Sequence, residues 1–188
     1  MPMRHFHSIL AAALLLAPVR ASADHEHAHG VPEKLGRVNF PVSCKPEVQP
    51  AFTRGVALLH SFAYEEAAKA FTAVAEQDPS CAMAQWGLAM SQFHTIWAPP
   101  TESEFAAGRA AARKAAEIGS STARERDYIA AIGAFYEKDG VPHPARVAAY
   151  ERAMAGVAER NPDDHEAAIF HALAILGGTD VPRVLRVV

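Results

Sequence analysis

The chain has 188 residues, half of them apolar, and sets 18 lysine and arginine residues against 21 aspartate and glutamate residues, for a formal net charge of −3. A chain of this size supports one hydrophobic core and leaves little for a second domain. The weak charge supplies neither a basic footprint for nucleic acid nor attraction to an anionic membrane.

Residues 1–23 have the layout of an export signal. Arg4 supplies positive charge, Ile9 to Ala17 is a short apolar run, and Ala21-Ser22-Ala23 offers small residues at a cleavage site, which predicts cleavage before Asp24. The run falls short of the ~20 residues a membrane-spanning helix needs, and nothing downstream approaches that length. The mature protein is expected to be periplasmic or secreted, without a stable membrane anchor.

Residues 24–46 are expected to form a His-rich and Pro-rich extended leader. His25, His27 and His29 stand at every second position of Asp24 to Gly30. Imidazoles on a pliable tail, with the amine of Asp24, have the chemistry to take copper, nickel or zinc; the competing reading is a solvated leader. Pro32, Gly36, Pro41 and Pro46 make the rest an extended approach to the folded part.

Residues 47–177 carry helical periodicity. Ala51, Phe52, Gly55, Leu58, Leu59 and Phe62 form one apolar stripe, and Tyr64, Ala67, Ala68, Phe71, Val74 and Ala75 the next. Asp78-Pro79-Ser80 ends the second helix. Ser80 is the expected N-cap of a third, which buries Met83, Trp86, Gly87, Met90 and Phe93. Trp97-Ala98-Pro99-Pro100 breaks the pattern. Thr101 with Glu104, and Thr122 with Glu125, have capping-box spacing for a fourth and a fifth helix. Phe105, Gly108, Ala112 and Ala115 mark the fourth, and Tyr128, Ile129, Ile132, Phe135 and Tyr136 the fifth. Val147, Tyr150, Met154 and Val157 mark a sixth. Asp163 with Glu166 opens a seventh, which carries Ile169, Phe170, Leu173 and Leu176. Strand-like alternation of Val, Ile and Thr is lacking, so the fold class is all-α with about seven helices. Residues 178–188 are expected to be an irregular tail.

Laid on itself at an offset of 34, the chain places Phe52 on Trp86, Gly55 on Ala89, Leu59 on Phe93 and His60 on His94. That is the length of a tetratricopeptide unit, and Gly55, Ala67, Phe71 and Pro79 fall at its small, small, aromatic and proline positions. The expected architecture is a tetratricopeptide-like right-handed superhelix of antiparallel helix hairpins. With Ser43-Cys44, Gly55 to Phe62 (GVALLHSF), Tyr64, Asp78 to Ala84 (DPSCAMA), Trp86 to Met90 (WGLAM) and Trp97, the chain resembles a family of exported bacterial tetratricopeptide-repeat proteins of poorly defined function. The resemblance covers roughly Leu35 to Leu176. Members of that family continue with further helical repeats and His-rich segments, so this chain is expected to be a truncated N-terminal part, and the later histidines are not carried over to it.

Cys44 lies just before the first helix and Cys81 at the start of the third, at the same end of neighbouring parallel helices. An oxidising compartment favours a bond between them, and closing such a loop stabilises by about 4 kcal/mol in the chain-entropy model. A thiolate metal site with His60 or His94 is the competing reading, and it lacks zinc-finger spacing.

His60 and His94, one repeat apart, are candidate ligands for copper or zinc if their side chains converge; packing at helix ends is the simpler reading. Trp86 and Trp97 are a candidate stacking platform and Tyr64 a candidate groove contact, with core packing as the competing role. Arg124-Glu125-Arg126-Asp127 fits a self-paired face, and the acids of Asp163-Asp164-His165 fit a helix start without a metal. The sequence has no Ser-His-Asp constellation, glycine-rich phosphate loop, paired-cysteine zinc spacing or HExxH helix, so neither catalysis nor an obligatory cofactor is expected. The expected function is a scaffold that binds a protein or peptide partner in a groove. An extracytoplasmic copper or zinc binder and a remnant of a longer repeat protein are the alternatives.

Overall fold

The computed structural model describes residues 34–137 and 139–178. The export signal, His25, His27 and His29, and residues 179–188 of the tail lie outside that range. Among the described residues a 3₁₀ turn at Pro46–Val48 is followed by seven helices: α1 (Gln49–His60), α2 (Tyr64–Gln77), α3 (Ala82–Ser91), α4 (Glu102–Ile118), α5 (Ala123–Tyr136), α6 (His143–Arg160) and α7 (His165–Gly177). The described residues contain no strand. Each helix packs on its neighbours in sequence, and α1 also meets α3 while α3 meets α5. The connections make consecutive helices antiparallel, so the helices form hairpins with α1, α3 and α5 side by side.

Two glycines allow the first three helices to meet. The Phe71 ring of α2 lies where a Cβ would stand at Gly55 of α1, 2.7 Å away, and at Gly87 of α3, 2.4 Å away. Any side chain at either place would push on a fully buried ring. Tyr136 of α5 crosses Gly108 of α4 in the same manner and donates its hydroxyl to the Ala89 carbonyl of α3 at 3.0 Å.

Several local expectations need correction. The Thr101 capping box is complete, with the Glu104 N–H on Thr101 Oγ1 and the Thr101 N–H on Glu104 Oε2 at 2.7 Å. Thr122 makes only half of one: its hydroxyl accepts from the Glu125 N–H at 3.1 Å, while the Glu125 carboxylate turns to Ser43 and Ser120. Ser80 does not cap α3, because its N–H and hydroxyl both go back to Asp78. The N-cap of α7 is Asp164, which receives the Glu166 and Ala167 N–H groups, rather than Asp163. The buried face of α7 accordingly runs through Ala167, Phe170, His171, Ala174 and Ile175, one helical stripe, and leaves Ile169 exposed. Phe62 lies beyond the end of α1, in the left-handed region at φ 58°, and is exposed.

The core reaches outside the helices. In the segment before α1, Val38, Phe40 and Val42 pack inward while Asn39, Pro41 and Ser43 face out, the period of an extended chain. Phe40 is 1% exposed, so the boundary expected at residue 47 is not the edge of the core. Cys44 and Cys81 form a disulfide that ties this segment to the start of α3, with Cα atoms 5.0 Å apart. Their sulfurs are used in that bond and are not thiolate ligands. Among the described residues no helix is long and apolar enough to cross a membrane.

Candidate functional site

The odd-numbered helices share a face, and the segment from Lys34 to Cys44 runs along it. The Phe40 ring meets Phe52 of α1 at 5.5 Å, Trp86 of α3 at 5.4 Å, Tyr128 of α5 at 4.8 Å and Phe170 of α7 at 6.5 Å between centroids. One aromatic side chain thus meets rings from four helices. The Arg124 guanidinium of α5 lies over the same ring at 4.2 Å and over Tyr128 at 5.2 Å, a cation held on aromatic faces.

The backbone of the segment is held by side chains of the helices. The Gln49 amide donates to the Phe40 carbonyl and accepts from the Val42 N–H, both at 3.0 Å, as the edge of a strand would. Arg124 donates to the Pro41 carbonyl at 3.0 Å. Glu125, only 2% exposed, receives the Ser43 N–H on one oxygen and the Ser43 hydroxyl on the other, each at 2.7 Å. Asp78 then takes the Lys45 N–H at 2.8 Å together with the Ser80 hydroxyl at 2.6 Å. The hydroxyl of Ser80, then the Lys45 N–H, hold the Asp78 carboxyl below the usual aspartate range.

Asp164 links this network to α7. It accepts from Arg124 and, at 3.0 Å, from the Tyr128 hydroxyl, while its other oxygen caps the helix. Burial, and after it the nearby Asp164 charge, push the Tyr128 phenol well above its ordinary value, so it serves as a neutral donor. Two open recesses flank the segment. One, of about 400 Å³, is lined by Gly36, Val38, His60, Glu166, Ile169 and Leu173; the other, of about 450 Å³, by Asn39, Pro41, Arg124, Arg160, Asp164 and His165 among others.

The expected site residues separate. His60 bonds through Nε2 to the Glu166 carboxylate at 2.6 Å and stacks on Phe170 at 4.8 Å, bridging α1 and α7 beside the first recess. His94 instead faces Glu104 at 3.9 Å and stacks on Tyr64 at 4.7 Å. Neither histidine belongs to a group of three metal-ligating side chains among the described residues. The group that does occur, Cys44, Asp78 and Cys81, has both sulfurs in the disulfide and its carboxylate taken by Lys45 and Ser80. Trp86, at 1% exposure, belongs to the core and is no surface platform; it forms the floor beneath Phe40. Trp97 is 61% exposed and stands edge-on to Phe62 at 5.8 Å, with Tyr64 adjoining Phe62 at 6.4 Å.

Phe40, Gln49, Arg124 and Glu125 were not singled out for this face by the sequence. The alternation of Val38, Phe40 and Val42 was a readable signal for an inward-facing extended segment. Nothing local marks Gln49 or Glu125 for this face, because Val42 and Ser43, which they hold, lie 7 and 82 residues from them. Compared with known proteins, the chain matches no family model, no curated protein and no solved structure.

Proposed function

We propose that this chain is an exported scaffold that binds polypeptide without covalent chemistry, and that the face made by α1, α3, α5 and α7 is its recognition surface. The observation that carries this reading is the manner in which Lys34–Cys44 is held. An aromatic side chain occupies a four-helix pocket, while a glutamine amide, an arginine and a buried carboxylate satisfy the backbone of an extended segment. Recognition of backbone with pockets for alternate side chains is how extended peptides are bound in general. The tetratricopeptide-like repeat spacing agrees with such a role, since stacked helix hairpins present a continuous surface to a ligand. The Cys44–Cys81 bond suits an oxidising compartment and so supports export.

The test is selection of peptides from a random displayed library against the full chain, oxidised and as the Cys44→Ser, Cys81→Ser double variant, followed by amide hydrogen exchange with the selected peptides. The expected result is added protection on α1, α3, α5 and α7. Protection confined to α2, α4 and α6, or no selection from either form, would overturn the reading.

A further inference from the structure

The geometry points to the class of segment this groove accepts, and to what occupies it at rest. The ligand is an extended stretch of the pattern apolar, any residue, aromatic, proline, apolar. The chain's own Val38-Asn39-Phe40-Pro41-Val42 is a resident copy of it that a partner displaces. This rests on the reading of the odd-helix face as a polypeptide site.

Each position of the pattern follows from a contact. The aromatic position is set by Phe52, Trp86, Tyr128 and Phe170, which surround the Phe40 ring, and by the Arg124 guanidinium over it. The apolar positions two residues to either side are the half-buried Val38 and Val42, packed on the core. Asn39 is exposed and is left unspecified. At the fourth position the clamp uses the carbonyls of Phe40 and Pro41 and the N–H of Val42, so a proline there forfeits no donor and its fixed φ favours the extended form.

Two features mark the segment as an occupant of the groove. Recesses of about 400 and 450 Å³ remain open beside it, each lined in part by the segment and in part by α7, so the face is larger than what fills it. The segment is also fixed at one end, because the disulfide at Cys44 holds it four residues from Phe40. A ligand tethered this closely acts at an effective concentration on the order of millimolar, and a partner competes against it. The apparent affinity for a partner then scales with the fraction of chains whose groove is open.

The experiment is fluorescence anisotropy with a labelled Val-Asn-Phe-Pro-Val-Ser peptide against the oxidised full chain, its Phe40→Ala variant and its Phe40→Leu variant, each confirmed folded by circular dichroism. Binding at least tenfold tighter to a Phe40 variant than to the unsubstituted chain, and lost when the peptide's phenylalanine is replaced by alanine, supports the inference. Should Phe40→Ala fail to fold, Phe40→Leu, which keeps apolar volume without the ring, carries the comparison. Equal affinity for the unsubstituted and variant chains overturns the inference, as does lack of saturable binding to a folded variant. If library-selected peptides still protect the odd-numbered helices in that last case, the groove reading survives and only the resident-ligand inference falls; if they do not, both fall.

Discussion

At the scale of single residues, Phe40, Gly87 and Asp78 each make a distinct prediction. Phe40 is fully buried among four other rings, and Phe40→Ala is expected to lower stability by about 3–5 kcal/mol in urea unfolding. A loss within about 0.5 kcal/mol would show that Phe40 contributes only surface packing. Gly87→Ala drives a methyl into the Phe71 ring, which is sealed on all sides, and should cost about 1–3 kcal/mol. Gly36→Ala meets open space and should be neutral. Asp78 predicts a pH dependence. Because the Ser80 hydroxyl and the Lys45 N–H hold its folded value below the unfolded one, the unfolded chain takes up the proton first as pH falls. The stability due to ionised Asp78 is therefore present above about pH 4 and lost as pH drops through the folded value. Asp78→Asn should flatten the acid-side fall in stability below about pH 4, and an unchanged slope would remove Asp78 from the account. Residue roles were the least legible part of the sequence. Trp86 and Trp97 look alike as letters, yet one is core and the other stands exposed beside Phe62. Trp86 stands on the inward face of α3, whereas Trp97 lies in the connection between α3 and α4.

At the scale of elements the sequence was more informative. The positions of all seven helices followed from apolar periodicity and from Pro and Gly breaks, because those signals are local. Caps slipped where a side chain had a better partner elsewhere: Ser80 was drawn back to Asp78, and Glu125 was drawn across to Ser43. The stretch 38–43 was legible as extended, but its burial depended on α3, α5 and α7, which are far from it in the chain, as well as on α1. Its anchoring gives the prediction for this scale. The Cys44–Cys81 bond closes a separation of 37 residues, so Cys44→Ser with Cys81→Ser should lower stability by about 4 kcal/mol relative to the oxidised chain. It should make little difference when both proteins are measured under reducing conditions. An equal deficit under reduction would mean that serine disturbs the packing and that the cross-link itself contributes little.

At the scale of the whole molecule, the row of hairpins brings Phe52, Trp86, Tyr128 and Phe170 to one face although 118 residues separate the first from the last. That convergence produces a pocket no single helix could build, with Gln49, Arg124 and Glu125 placed around it for the backbone of an extended chain. The exposed rings of Phe62 and Trp97, with the half-buried Tyr64 beside them, are a separate surface at the α1–α2 and α3–α4 connections. The chain's two tryptophans therefore report on the two surfaces independently, Trp86 beneath Phe40 and Trp97 beside Phe62. The most direct measurement is the pair of indole N–H resonances in ¹⁵N-labelled, oxidised full-length Phe40→Ala chain, or in Phe40→Leu if the alanine variant does not fold, during titration with the Val-Asn-Phe-Pro-Val-Ser peptide. The account predicts that the Trp86 resonance shifts to saturation while that of Trp97 stays in place. A shift of Trp97 alone would move recognition to the exposed ring cluster and contradict the assignment of the odd-helix face as the polypeptide groove.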